Sequence, residues 1–280
     1  MIALDAWARF RRNRLALVGL ALVAVLALSA ALAPWLAPHD PARQSLIEKR
    51  ATPGGKYLLG ADEFGRDILS RVIYGSRVAL LVGLLSAAIA VLGGLLLGTI
   101  AGFAGGWLDA VLMRGVEILL AFPYLLLALA IVAALGPGAL NTTIAVGIWG
   151  VPAVARIVRG SVLALRETEY VGAARALGAP AAALLGRHIL PNIAPGLIVY
   201  ATLFMANAIL LEAALSFLGL GVQPPTASWG LMVSTGRDVL LIAPHVATVP
   251  GLAIMVAVLA FNLVGDGLRD ALDPRLRGHA

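Results

Sequence analysis

Long stretches without a single charged residue constrain the fold of this chain more than any other feature. The runs 15–33 and 78–103 contain no Asp, Glu, Lys or Arg, and about 20 apolar residues are enough for a helix to cross a bilayer. Charged residues make up only 13% of the 280 residues, whereas about 25% is usual in soluble domains. The sequence therefore predicts an all-α, polytopic membrane protein.

The apolar runs predict about six transmembrane helices, at 15–33, 78–103, 116–135, 141–158, 193–215 and 246–264. A basic tail with Arg9 and Arg14 precedes the first run, and basic segments stay on the cytoplasmic side. We therefore expect both termini in the cytoplasm. Residues 31–33 have the small side chains of a signal-peptidase site, but the run is too long for a usual signal peptide and Pro34 would directly follow the cut. We interpret it as an uncleaved anchor.

The same pattern divides the chain into a cytoplasmic tail (1–14), a first transmembrane helix (15–36), an extracytoplasmic segment (37–75), a transmembrane domain (76–269) and a second cytoplasmic tail (270–280). Residues 104–113 are expected to form a short turn on the cytoplasmic side. Pro123 is expected to kink the third span. Residues 219–244 are expected to form an outer loop.

Gly94, Gly98 and Gly102 recur at every fourth position of the second span. This spacing places three missing side chains on one face of a helix. Helices in lipid associate through close packing, which small residues permit. We therefore predict that another helix packs closely against this face.

The stretch 35–77 is the longest charged segment, and it mixes residues of both signs. Within it, Asp62, Arg66 and Asp67 are candidates for the outer side of a translocation path, as are Glu212 and Trp229 further along. A carboxylate cluster at this position can bind a cation. A capped, salt-bridged surface loop is the alternative interpretation.

Several chemistries lack their usual motifs. Gly55-Lys56 is followed by Tyr57, so no Walker A motif is present, and four scattered His residues lack the spacing of metal ligands. We expect no enzymatic activity, no metal site and no cofactor bound by this chain. The net charge of +6 would suit nucleic acid, but the Arg residues lie mainly at span ends, where the positive-inside rule accounts for them. We expect membrane lipid as the surroundings and no nucleic-acid partner.

Glu212 and Glu117 are ionisable residues within spans, where carboxylates are candidates for proton relays. An ion- or proton-coupled secondary carrier that uses them is therefore an alternative function. Such carriers place their sites near the bilayer midplane within related halves. These two residues lie near span ends, and the chain has no convincing internal repeat.

Residues 166–191 form a basic, amphipathic segment between two apolar spans. Glu169 suits the positive end of a short helix, and Ala173, Ala174 and Leu177 provide an apolar stripe at helical spacing. Gly178 is predicted to end this helix in a left-handed conformation.

A second short helix is predicted to follow, with Pro180 at its first position and Pro191 at its end. It presents Leu184, Leu185 and His188 on one side. Two short helices at an angle suit docking into a groove of a partner. An amphipathic hairpin resting on the lipid surface is the alternative.

This segment resembles the EAA loop of ABC-importer permeases through Gly172-Ala173-Ala174-x-x-x-Gly178 and His188-Ile189-Leu190-Pro191. Gly172 stands where the family usually has Glu. The resemblance continues in three other stretches, Leu59-Gly60-x-Asp62-x-x-Gly65-Arg66-Asp67, Glu212-Ala213-x-Leu215-Ser216-Phe217-Leu218-Gly219 with Trp229-Gly230, and Asn262-Leu263-x-Gly265-Asp266-Gly267. Together they are similar to the C-type permease of the dipeptide/oligopeptide/nickel family.

The resemblance implies a type I ABC-importer permease fold in the plasma (inner) membrane of a bacterium or archaeon. It implies a sibling permease as heterodimer partner, two cytoplasmic ATP-binding subunits that carry ATP and Mg, and an extracytoplasmic substrate-binding protein. It also implies an ATPase-coupling loop formed by Glu169, Gly172, Ala173, Ala174, Arg175, Leu177, Gly178, His188, Leu190 and Pro191. The substrate class it implies is di- or oligopeptides or a related small solute, such as glutathione or nickel.

Overall fold

The computed structural model describes residues 2–272, with side chains described from Trp7 onward. Every regular element in this range is helical. The strand-like pairs within it are two isolated bridges, Gly54–Tyr57 and Ala61–Asp67. The predicted all-α fold is confirmed.

The helices are α1 (Ile2–Arg12), α2 (Arg14–Ala31), α3 (Ala33–Leu36), α4 (Ile68–Ala104), α5 (Gly106–Ala121), α6 (Tyr124–Leu135), α7 (Ala139–Arg166), α8 (Glu169–Ala176), α9 (Ala181–Ala183), α10 (Leu190–Phe217), α11 (Trp229–Arg237) and α12 (His245–Leu272). A 3₁₀ turn covers Leu46–Glu48, and a π-helical turn covers Leu184–Ile189.

Within the described range, 5 helical stretches are long and apolar enough to cross a membrane. They are α2, α4, α7, α12 and the continuous stretch Ala181–Phe217, which joins α9, the π turn and α10. The consecutive helices α5 and α6 form a bent pair that is apolar enough to be a sixth span. The prediction of about six spans is confirmed, whereas the orientation of the termini stays a prediction.

The closest helix pair is α4 with α7, and the predicted glycine face lies in it. A Cβ atom added to Gly94 would overlap the side chain of Val154, and one added to Gly98 would overlap the backbone of Ala155. At Gly102 the added atom would lie 2.9 Å from Cβ of Val162. The two backbones therefore approach to a distance that only glycine allows on the α4 side.

The region between α4 and α6 differs from the prediction. Residues 104–113 are mostly helical and do not form the expected turn. The helix α4 ends at Ala104, and α5 begins at Gly106. Gly105 and Gly106 have φ values of +68° and +59°, which glycine adopts without steric cost, and they separate α4 from α5. At Pro123 the helix axis changes by 99°, so this proline separates two helices instead of kinking one. Phe122 before it is extended, as residues before proline usually are.

The predicted outer loop 219–244 contains the helix α11, which hydropathy alone does not reveal. This helix forms because Trp229 and Met232 are buried against α4, α10 and α12. The last span also differs from its prediction. The helix α12 runs to Leu272, so the start of the expected tail 270–280 is helical, and residues 273–280 lie outside the described range.

The expected tail 1–14 is mostly the helix α1, which packs against the end of α12. Phe10 is 3% exposed, and a Cβ atom on Gly267 would lie 3.0 Å from its ring. The Asn13 amide donates a hydrogen bond to Asp270 at 3.4 Å. The first helix and the end of the last span therefore lie together, as expected if both termini are on one side of the membrane.

Candidate functional site

The segment 166–191 is a helical hairpin that follows α7 directly in the chain. Its first arm is α8, and Thr168 precedes it in an extended conformation while its hydroxyl donates to the Leu165 carbonyl at 2.6 Å. The Arg166 guanidinium donates to the Gly102 carbonyl at the end of α4, at 3.0 Å. The root of the hairpin is therefore attached to the closely packed α4–α7 pair.

Gly178 ends α8 in the predicted left-handed conformation, with φ +84°. The N–H of Ala179 donates to the Ala174 carbonyl at 3.1 Å, and the N–H of Gly178 donates to the Arg175 carbonyl at 3.0 Å. These two bonds form a Schellman motif, which satisfies carbonyls that a helix end otherwise leaves unpaired. The sharp turn of the hairpin is therefore specified locally, by one glycine.

The second arm departs from the prediction. Pro180 is the N-cap residue and not the first helical residue, because its ψ of 154° is extended. Pro191 does not end the arm, since it is the second residue of α10 and the helical stretch Ala181–Phe217 continues through it after the π-helical turn. Leu184 is buried, and Leu185 packs against the core of the bundle. The second arm is therefore the beginning of a span, and its leucines stabilise the bundle.

The outward face of the first arm is not covered by any described part of this chain. Val171 is fully buried and holds α8 against the bundle, whereas Leu177 is 88% exposed. Gly172 has no atom within 4 Å of an added Cβ. The remaining predicted residues of this arm lie beside them, with Glu169, Ala173 and Arg175 exposed and Ala174 half-buried.

Three polar residues join the two arms. The Tyr170 and His188 rings lie 6.2 Å apart, and the Asn192 amide donates to the His188 carbonyl at 2.6 Å and to the Tyr170 hydroxyl at 3.5 Å. His188 and Leu190 are half-buried, whereas Pro191 is exposed. These contacts fix the angle between the arms, which the sequence pattern alone did not define.

Glu212 lies in a buried polar cluster near the end of α10. Its carboxylate accepts hydrogen bonds from the Ser216 hydroxyl at 2.7 Å and the Ser228 hydroxyl at 2.9 Å, and Ser216 in turn accepts from the Val222 N–H at 3.0 Å. The carboxylate therefore ties α10 to the loop that leads into α11. The sequence indicates Glu212, with Ser216 beside it in the stretch that resembles the permease family, but nothing in the pattern shows that the loop folds back and brings Ser228 to the carboxylate.

Trp229 connects α11 to α4. Its indole N–H donates to the Val72 carbonyl at 2.9 Å, and the ring fills the space that a side chain at Gly75 would occupy. The residue is 3% exposed. Its placement is that of a packing residue between α11 and the first half of α4.

Asp62, Arg66 and Asp67 meet in the loop that leads into α4, and all three are buried. Arg66 donates to the Asp62 carboxylate at 2.6 Å, and Asp67 caps α4 by accepting from the Ser70 N–H at 2.9 Å. Arg71, which is 1% exposed, donates to the Pro41 carbonyl at 3.1 Å. This arrangement matches the salt-bridged loop that was the alternative to a cation site. Within the described range, no group of three or more His, Cys, Asp or Glu residues could hold a metal ion.

An ion pair that joins α5 to α7 was not predicted. Arg159 on α7 binds Asp109 on α5 through two bonds of 2.5 and 2.6 Å. Two opposite charges near the ends of consecutive apolar runs are the signal that could have revealed it. Glu117, the other carboxylate proposed for a secondary carrier, lies two turns further along α5, 3.3 Å from Arg114.

Comparison with known proteins places these features in a family context. Residues 94–278 match the model of the binding-protein-dependent transport system inner membrane component. Residues 3–53 match the model of the N-terminal TM domain of oligopeptide transport permease C. The two matches cover both ends of the described bundle.

Three curated relatives align with nearly the whole chain. A di/tripeptide transport system permease protein of Pseudomonas aeruginosa is 48% identical, with 99% of this chain and 93% of the relative covered. A glutathione transport system permease protein of Pectobacterium atrosepticum is 43% identical, over 98% and 91%. A dipeptide transport system permease protein of Alkalihalophilus pseudofirmus is 44% identical, over 98% and 90%.

Proposed function

Because this chain belongs to the family of binding-protein-dependent transport system inner membrane components, we propose that it couples ATP hydrolysis by partner subunits to import of small peptides. It is a multi-pass inner-membrane protein and a permease, not a catalyst. In the proposed mechanism, the hairpin 166–191 receives the movement of the ATPases. The helices α4, α7, α10 and α12 carry this movement across the membrane.

The proposed assembly contains a sibling permease, two cytoplasmic ATP-binding subunits and an extracytoplasmic substrate-binding protein. ATP and Mg bind to the ATP-binding subunits. Both termini and the hairpin face the cytoplasm, and the segment 37–75 with the α11 region faces the binding protein. Arg-rich span ends on the hairpin side support this orientation.

The exposed first arm of the hairpin is the observation that carries the coupling proposal. The side chain of Leu177 is 88% exposed. Nearly all the hydrophobic free energy of burying it, about 1.5–3 kcal/mol, is therefore available for binding a partner. The Schellman turn at Gly178 and the Tyr170–His188–Asn192 contacts fix the arm before any partner binds. A preorganised apolar tip binds more tightly, because little conformational freedom remains to be lost.

Small peptides are the proposed substrates because the named relatives are permeases for dipeptides, di/tripeptides and glutathione. These solutes share a free carboxylate, an ammonium group and a length of two or three residues. The outer cluster of Asp62, Arg66 and Asp67, with Glu212 and Trp229, supports the surface on which the binding protein releases them. The burial of these residues makes their role there an indirect one, through the shape of the outer loops.

Transport by the complete importer in proteoliposomes tests this function. We expect uptake of radiolabelled Ala-Ala that requires internal ATP, the binding protein and both ATPases, and that continues when a protonophore collapses the proton gradient. Uptake by this chain and its sibling without any ATPase would contradict the proposal. Uptake abolished by the protonophore despite ATP would favour the secondary carrier with Glu212 and Glu117.

A further inference from the structure

A cavity opens between α5 and α7 on the side of the bundle that leads to the hairpin. Its volume is about 480 Å³, within the roughly 300–1,000 Å³ of small-molecule sites. The side chains that line it and carry the argument are Asp109, Met113, Arg114, Glu117, Arg156 and Arg159. These residues belong neither to the hairpin 166–191 nor to the clusters around Asp62 and Glu212.

In the proposed topology, the charges in this cavity lie beside the cytoplasmic half of α7, which belongs to the candidate span Ala139–Arg166. Two contacts of α7 mark the ends of this region. Asp109 pairs with Arg159 at one end, and the Tyr124 ring lies 5.7 Å from the Trp149 ring at the other. Both α7 residues are inside Ala139–Arg166, a helix long and apolar enough to cross a membrane, and they are about 15 Å apart along its axis. Glu117 lies between these two levels.

Charged side chains at such a depth do not face lipid, because their transfer into hydrocarbon is too costly. The side chains of Arg114 and Glu117 are nevertheless 76% and 56% exposed. They must therefore face water or another protein. Water is favoured by the concave shape, since a protein contact over the same charges would have to desolvate each of them.

The cavity has one cation in excess. Asp109 and Arg159 neutralise each other through a bidentate pair, and Arg114 pairs loosely with Glu117. Arg156 is exposed, and the described part of the chain provides it with no hydrogen bond or ion pair. Arginine binds carboxylates through paired hydrogen bonds, while Glu117 can attract an ammonium group.

We propose that this cavity is a weak solute-binding site in the cytoplasmic half of the translocation path. It takes a small zwitterion, whose carboxylate binds Arg156 and whose ammonium group lies near Glu117. This assignment rests on the proposed function. It adds to that function a position at which the solute is held after it has left the outer half of the path. A weak site at this position gives the charged solute a favourable environment without retaining it.

The complete absence of cysteine allows a direct test with single engineered cysteines. Met113→Cys places a thiol in the cavity, and Val111→Cys places one two residues away, on the opposite side of α5. Both variants are assembled into the complete importer, and inside-out vesicles receive a membrane-impermeant, negatively charged methanethiosulfonate reagent. We expect Met113→Cys to react at least about tenfold faster, because a thiol in lipid does not ionise to the reactive thiolate.

Protection by solute then tests the binding site itself. Millimolar Ala-Ala should slow modification of Met113→Cys, and Ala-Ala amide, which lacks the carboxylate, should slow it less. Adding Arg156→Gln should make the two compounds equally poor protectants, whereas Arg237→Gln on the outer side should change nothing.

Three outcomes overturn the proposal. Modification in the isolated chain but not in the importer would mean that the sibling permease covers this surface. Equal, slow modification at both positions would mean that the cavity is closed to water. Fast modification without protection would mean a water-filled space that binds no solute. Failure of ATP-dependent uptake with protection intact would instead contradict the proposed function alone.

Discussion

Replacing the leucine at the tip of the hairpin should weaken the attachment of the ATPases without disturbing the membrane bundle. Leu177 is 88% exposed, so its replacement removes no packing from the chain itself. Its burial in a partner groove is worth about 1.5–3 kcal/mol, which corresponds to a roughly 10- to 140-fold change in Kd at 1.4 kcal/mol per tenfold. Leu177→Asp also brings a charge into the contact, so the loss should reach at least this range.

The measurement is a titration of purified ATPases against the permease pair held in nanodiscs, followed by biolayer interferometry. Leu241→Asp is the matched control, because Leu241 is 100% exposed in the loop between α11 and α12, on the proposed outer side. Leu177→Met should bind nearly as well as the unchanged chain, since it keeps the apolar surface. An unchanged Kd for Leu177→Asp, or an equal loss for Leu241→Asp, would refute the docking role.

Three further predictions address the hairpin turn, the helix contact and the outer segment. Gly178→Ala should reduce coupled uptake and raise hydrogen exchange in α8, because an L-residue at φ +84° costs about 1–2 kcal/mol. Gly98→Val should lower the thermal midpoint of the detergent-solubilised chain, whereas Gly115→Val, where an added Cβ meets nothing within 4 Å, should leave it nearly unchanged. Lys56 and the Tyr57 hydroxyl hold the pKa of Glu48 down, from 4.5 to about 2. Because the folded pKa is lowered, this contact contributes in full above pH 4.5 and is lost as the pH falls through about 2; an NMR titration of the Glu48 carboxyl with a midpoint near 4.5 would contradict the contact.

The features that follow from short-range chemistry could be predicted from the sequence. Gly178 was predicted as a left-handed helix end, and it is one, because the cause lies within six neighbouring residues. The number of spans followed from hydropathy, since each span must satisfy its own backbone in lipid. Gly94, Gly98 and Gly102 could be placed on one helix face because residues four apart lie on the same side of a helix. The helix that packs against this face could not be named from the sequence.

The features that depend on tertiary contacts could not be predicted. The helix α11 is stabilised by the packing of Trp229 against Gly75. These two residues are far apart in the chain, so the sequence does not show their contact. The sequence predicts a helix end at Pro191, yet the helical stretch Ala181–Phe217 continues through this proline, directly after a π-helical turn. The bidentate pair between Asp109 and Arg159 requires α5 to begin beside α7, and this start follows the left-handed conformations of Gly105 and Gly106.

The continuity of the hairpin with its span has a mechanical consequence. From Ala181 to Phe217 the chain is a single helical rod of 37 residues, about 55 Å long. One end carries the hairpin's second arm, and Glu212 with Ser216 lies near the other. If the hairpin receives the movement of the ATPases, as proposed, the straight part of this helix beyond Pro195 carries that movement as a rigid body. The π-helical turn Leu184–Ile189 lies near the hairpin end of this rod. Its irregular hydrogen bonding marks the position at which the rod can bend instead of transmitting the motion.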